Sequence, residues 1–84
     1  MKIFVGNLSL DTVENDLLRA FTPFGEVKLV NIAKISEDGR SRGFGFVDVT
    51  ADGEGLAAIA GLNGTRLQGK TLRVSEARRK VDSR

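Results

Sequence analysis

The sequence predicts a two-layer α+β sandwich: a four-stranded antiparallel sheet with two helices on one face, in the order strand, helix, strand, strand, helix, strand. Three observations carry this. Four segments have the β-branched and aromatic composition, or the two-residue alternation, of strands. Two segments repeat apolar residues at helical spacing, each set between two of those strands. The chain has 84 residues, 40% hydrophobic and 29% charged, which suits one globular domain and is too apolar for a disordered one.

Residues 2–7 (Lys-Ile-Phe-Val-Gly-Asn) read as the first strand, closed by Asn7. Val13, Leu17, Leu18 and Phe21 recur at helical intervals, so residues 13–22 form the first helix. Asp11 or Thr12 is placed to cap it, and Asp11, Glu14 and Asp16 suit the positive end of its dipole. Pro23 and Gly25 stop it. Val27, Leu29, Val30, Ile32 and Ile35 mark a second strand over 27–35, followed by a polar, turn-rich loop over 36–41. Residues 42–49 alternate glycine with phenylalanine and form the third strand. Leu56, Ala57, Ile59, Ala60 and Leu62 mark a second helix over 52–62. Gly53 and Gly55 weaken its start by about 1 kcal/mol each relative to alanine. Asn63-Gly64 supplies a left-handed stop. The last strand spans 71–76, with Leu72 and Val74 inward and Arg73 and Ser75 outward. The domain therefore covers residues 1–77, and residues 78–84 read as a disordered basic tail.

Right-handed crossovers put both helices on the same side of the sheet and leave its other face bare. Alternation along the third strand sets Arg42, Phe44, Phe46 and Asp48 on one face and Gly43, Gly45, Val47 and Val49 on the other. Arg42 and Asp48 are hard to bury unpaired, so the glycine–valine side is the core, its glycines leaving room for close helix packing. Phe44 and Phe46 then stand on the bare face. In the first strand Ile3 and Val5 fit the core, which leaves Phe4 on the bare face too. Three exposed rings cost solubility unless something binds them. Flat rings flanked by arginine are what a stacking platform for nucleobases needs.

Composition excludes much else. The chain has no cysteine and no histidine, so a disulfide framework, a Cys/His zinc site, a thiol nucleophile and histidine acid–base catalysis are ruled out. The apolar runs fall far short of the roughly 20 residues of a membrane helix, and Met1-Lys2 leads straight into Ile3-Phe4-Val5 with no signal-peptide pattern. A soluble, cytoplasmic protein is expected. Gly39, Gly43 and Gly45 do not make a phosphate-binding loop, since no Lys-Ser/Thr follows and no helix opens there. The net charge is +2, and it is unevenly spread. Arg78, Arg79, Lys80 and Arg84 against Asp82 give the last eight residues +3, so residues 1–76 carry −1. Acidic residues cluster at Asp11, Glu14 and Asp16 and at Asp52 and Glu54; basic ones cluster at Arg40 and Arg42 and at Lys70 and Arg73. On opposite faces these would polarise the molecule.

Ile3-Phe4-Val5-Gly6-Asn7-Leu8 and Arg42-Gly43-Phe44-Gly45-Phe46-Val47-Asp48-Val49 resemble the hexamer and octamer signatures of the RNA recognition motif. The octamer departs from the family only at Val49, where an aromatic is usual; that position is core by alternation. The resemblance extends through Leu17–Val27, Leu62-Asn63-Gly64 and Leu72-Arg73-Val74, and so covers nearly the whole chain. It looks most like the stand-alone bacterial members. The resemblance implies a ferredoxin-like βαββαβ sandwich that binds single-stranded RNA, without catalysis and without a cofactor. It implies that Phe4 and Phe44 each stack a base, that Phe46 packs between sugars, and that Arg42 pairs with a phosphate. Asn31, Asp48, Arg73 and Ser75, with backbone groups near Glu76 and Ala77, are candidates for reading base edges. Lys2 and Arg40 are further polar candidates, and Arg78, Arg79 and Lys80 add electrostatic attraction. Single-stranded DNA is an alternative ligand, because stacking is blind to the sugar. A monomer is expected. A protein-interaction domain of the same fold, using the sheet or the helices, is the alternative function; an enzyme on this layout would want a nucleophile or an anion-cradling loop, and neither is seen.

Overall fold

Two helices and six strands follow one another in the computed structural model, which describes residues 1–34 and 41–77; at Lys34, Ser41 and Arg42 the description covers the backbone alone. They are β1 (Lys2–Gly6), α1 (Glu14–Phe21), β2 (Val27–Lys34), β3 (Ser41–Val49), α2 (Asp52–Leu62), β4 (Arg66–Leu67), β5 (Lys70–Thr71) and β6 (Arg73–Glu76). Four strands form one antiparallel sheet in the order β2-β3-β1-β6, so β3 and β1 are central. β4 and β5 pair in a separate small hairpin that sequence reasoning missed. The predicted α+β sandwich is the observed fold. The end of the predicted second strand, the following loop through Arg40, and the tail from Arg78 lie outside the described residues.

The core forms between the sheet and the helices. Ile3, Val5, Val47 and Val49 alternate inward from β1 and β3, Leu72 and Val74 from the last strand region, and Leu17, Phe21 and Ala58 from the helices. Of the periodic apolar residues of the first helix, only Leu17 and Phe21 are fully buried; Val13 and Leu18 are 49% and 40% exposed. Val13 is the extended N-cap residue and does not belong to the helix. This corrects the expected cap. Neither Asp11 nor Thr12 serves; instead the Asp16 carboxylate accepts the Val13 N–H at 2.9 Å. Thr12 is buried, and its hydroxyl donates to Gln68 Oε1 in the β4–β5 turn, which ties the hairpin to the start of α1. The acidic first turn of α1 suits its dipole as expected.

Pro23 sits in a single 3-10 turn, Thr22–Phe24, that ends α1, and Gly64 at φ +88 follows the end of α2. α2 turns Gly55 and Ala58 inward, while Leu56 is 56% exposed. Gly55 therefore does more than weaken the helix. A Cβ there would stand 2.5 Å from Met1 Sδ and 3.0 Å from Val49 Cγ2, so its absence lets α2 approach the Met1 side chain and β3. Gly45 has a different partner from the expected helix. A Cβ there would stand 2.6 Å from the Asn31 carbonyl oxygen, so this glycine admits the backbone of β2. Met1 closes the end of the sheet. Its amino group donates to the Val49 carbonyl at 2.7 Å and lies 3.5 Å from Asp48 Oδ1 and 3.7 Å from Asp52 Oδ1.

Candidate nucleic-acid interface

Strand register tiles the bare face in cross-strand rows. Leu29, Asp48 and Lys2 form one row; Asn31, Phe46, Phe4 and Ser75 form the next; Phe44, Gly6 and Arg73 form the third. The expected alternation of β3 holds: Gly45, Val47 and Val49 are buried, while Phe44, Phe46 and Asp48 are not. The three rings touch one another. Phe4 and Phe44 lie 6.0 Å apart, centroid to centroid, at an interplanar angle of 30°, and Phe46 stands edge-on at 5.7 Å from Phe4 and 6.3 Å from Phe44. These are ordinary aromatic-pair separations, so the rings make one continuous half-buried patch. Gly6 sets its shape. A Cβ there would stand 2.8 Å from Phe4 Cε2, so only glycine lets that ring lie down along β1.

Polar groups rim the patch. Lys2 holds its ammonium 5.0 Å from the Phe46 centroid, a cation–π contact. Arg73 and Ser75 are exposed on β6 and border, with Phe4 and Asn63, an open hollow at that sheet edge. Asn31 is exposed beside Phe46. Asp48 is restrained by the Met1 amino group. The Ala77 N–H donates to the Lys2 carbonyl at 2.9 Å, so this backbone donor is committed to the sheet and not available to a base. Arg42 lies within β3, and its side chain is outside the described residues, as are Arg40, Arg78, Arg79 and Lys80. The acidic Glu14, Asp16, Asp52 and Glu54 sit in the first turns of the two helices, whereas Lys2 and Arg73 lie on strands of the sheet; Asp52 still comes within 3.7 Å of the Met1 amino group, next to Lys2. Among the described residues, Asp48 is the acidic exception on that face.

Sequence reasoning missed Leu29. It is 62% exposed on the bare face, next to Asp48 in register. A register shift between Val27 and Leu29 breaks simple alternation from the strand's start. The available signal was Asn31 two residues on, since residues two apart in a strand share a face. Among the described residues no group of three or more His, Cys, Asp or Glu could hold a metal ion, and no helix is long and apolar enough to cross a membrane.

Residues 3–73 match the family model described as RNA recognition motif. The chain belongs to the RNA recognition motif family. It is 47% identical over 78 residues to a Synechocystis sp. protein provisionally named RNA-binding protein RbpA, covering 93% of this chain and 77% of that one. A crystal structure of an RNA-binding protein, PG1, is similar with a TM-score of 0.90 and 36% identity, over 98% of this chain and 99% of that chain. A Sex-lethal protein–RNA complex is similar with a TM-score of 0.88 and 32% identity, over 93% of this chain and 47% of that chain. Membership makes the chain a binding module and not an enzyme. Its two signature segments fall on β1 and β3, the central strands. Val49, where the family usually has an aromatic, is 2% exposed and fills the core beneath α2.

Proposed function

We propose that this chain binds single-stranded RNA by stacking bases and sugars on Phe4, Phe44 and Phe46, with Asn31, Lys2, Asp48, Arg73 and Ser75 at the rim and Arg42 pairing with a phosphate. The observation that carries this reading is the contiguous patch of three outward phenylalanines on the two central strands. Solved relatives that include a protein–RNA complex support it. One chain supplies the whole patch, so a monomer suffices, and we assign it to the cytoplasm. Arg40 and the basic residues Arg78, Arg79 and Lys80 add sequence-independent attraction. Stacking is worth roughly 1–3 kcal/mol per base, and two or three bases fit on three rings. After the cost of ordering a flexible strand the net is about 5–8 kcal/mol, which corresponds to micromolar or weaker binding.

Stacking needs unpaired bases, which separates this mode from attraction to phosphates. Fluorescence anisotropy with a labelled hexamer, single-stranded or annealed to its complement, tests it. Micromolar binding of the single strand, at least tenfold tighter than the duplex, is expected. Equal binding of the two forms would reduce the interaction to charge and overturn the proposal. The same comparison with a DNA hexamer reports how far 2′-hydroxyl contacts add to stacking.

A further inference from the structure

A recess of about 170 Å³ opens beside the ring patch, lined by Lys2, Leu29, Asn31, Phe46 and Asp48. Its walls are apolar, the Phe46 ring and the exposed Leu29 side chain, and its polar groups differ in kind. The Asp48 carboxylate only accepts hydrogen bonds, the Lys2 ammonium only donates, and the Asn31 amide does both. Asp48 and Lys2 are direct cross-strand neighbours, so an acceptor and a donor stand side by side at one end of the recess. Met1's amino group, 3.5 Å from Oδ1, holds the carboxylate in place.

We propose that this recess selects guanine within the bound strand. The inference rests on the stacking reading above and names the base that one part of that face takes. Two adjacent N–H donors, N1–H and the 2-amino group, match a carboxylate as a bidentate pair, and O6 beside them faces an ammonium. No other RNA base offers that row. Adenine and cytosine present one amino donor next to an acceptor nitrogen, and uracil flanks its single N–H with two carbonyls that the carboxylate repels. The base inserts between Leu29 and Phe46, which gives the outward leucine a partner. The Phe46 ring then meets a base. The Lys2 ammonium, now 5.0 Å over the Phe46 ring, swings on its long stem to O6.

Anisotropy titrations with four hexamers, uridine throughout or with one central guanosine, adenosine or cytidine, test this on the unmodified chain. The guanosine hexamer is expected to bind about tenfold tighter than the other three, the discrimination of one good bidentate pair. Inosine, which lacks the 2-amino group, is expected to lose most of that gain, and Asp48→Asn to bring the guanosine hexamer to within about twofold of the uridine one. Equal binding of all four hexamers, a preference for another base, or a guanosine preference that survives both inosine and Asp48→Asn would overturn the recess while leaving stacking intact. Failure of the unmodified chain to bind any hexamer would instead remove the stacking reading itself. The oligonucleotide and inosine comparisons need no variant, so a misfolded Asp48→Asn would not leave the question open.

Discussion

Phe44→Ala is expected to weaken binding of single-stranded RNA at least tenfold while leaving the chain folded. The ring stands on the bare face, 6.0 Å from Phe4 and 6.3 Å from Phe46, and outside the buried core. Its loss removes a stacking surface worth roughly 1–3 kcal/mol. In the free protein it removes ring–ring contacts of about 0.5–1.5 kcal/mol per pair. Phe44 has two such partners, so stability should fall by an amount comparable to the loss of binding energy, which a chain whose core is untouched survives. Paired measurements check this: anisotropy for affinity, and thermal melting for fold. Unchanged affinity with an unchanged melt would mean that RNA does not use the rings. A collapsed melt would mean that the patch is a structural cluster.

Phe21→Ala carries the largest expected cost to stability, about 3–5 kcal/mol, by leaving a cavity where a fully buried ring was. The ring is the largest of the fully buried side chains and joins α1 to the core that the sheet lines. A chain of this length buries only about 60–65% of its unfolded surface, so its stability starts near the low end of the usual range of roughly 5–15 kcal/mol. At about 4–8 °C per kcal/mol, the melting midpoint should drop by well over 10 °C. RNA added in excess should restore part of the loss, because only the folded face binds. Urea unfolding that reported less than about 1 kcal/mol would contradict the account of how α1 is anchored.

Much of the site was legible because strands alternate strictly. Arg42 and Asp48 fixed the outward side of β3, and the rings at Phe44 and Phe46 followed from it. The same logic placed Phe4, Arg73 and Ser75. What escaped was information that alternation and periodicity do not carry. The β4–β5 hairpin turns at Gln68 and Gly69, both at positive φ. Glutamine lacks the local side-chain hydrogen bond that makes Asn-Gly or Asp-Gly a turn signal, so the segment read as plain loop. Thr12 looked like a cap because its residue type favours that role, yet its hydroxyl is spent on Gln68, a partner 56 residues away. Gly45 and Gly55 looked alike as small residues; only the assembled sheet tells that one admits a strand and the other a helix. Leu29 was hidden because a register shift breaks alternation counted from Val27; only counting back from Asn31 places it on the bare face.

Amide chemical-shift mapping of the isotope-labelled chain during titration with a short single-stranded RNA tests the bare-face account most directly. The account predicts shifts concentrated at Phe4, Phe44 and Phe46 and their register neighbours Asn31, Asp48 and Ser75, with the outward faces of α1 and α2 unmoved. Shifts centred on the helices, with β1 and β3 silent, would contradict it.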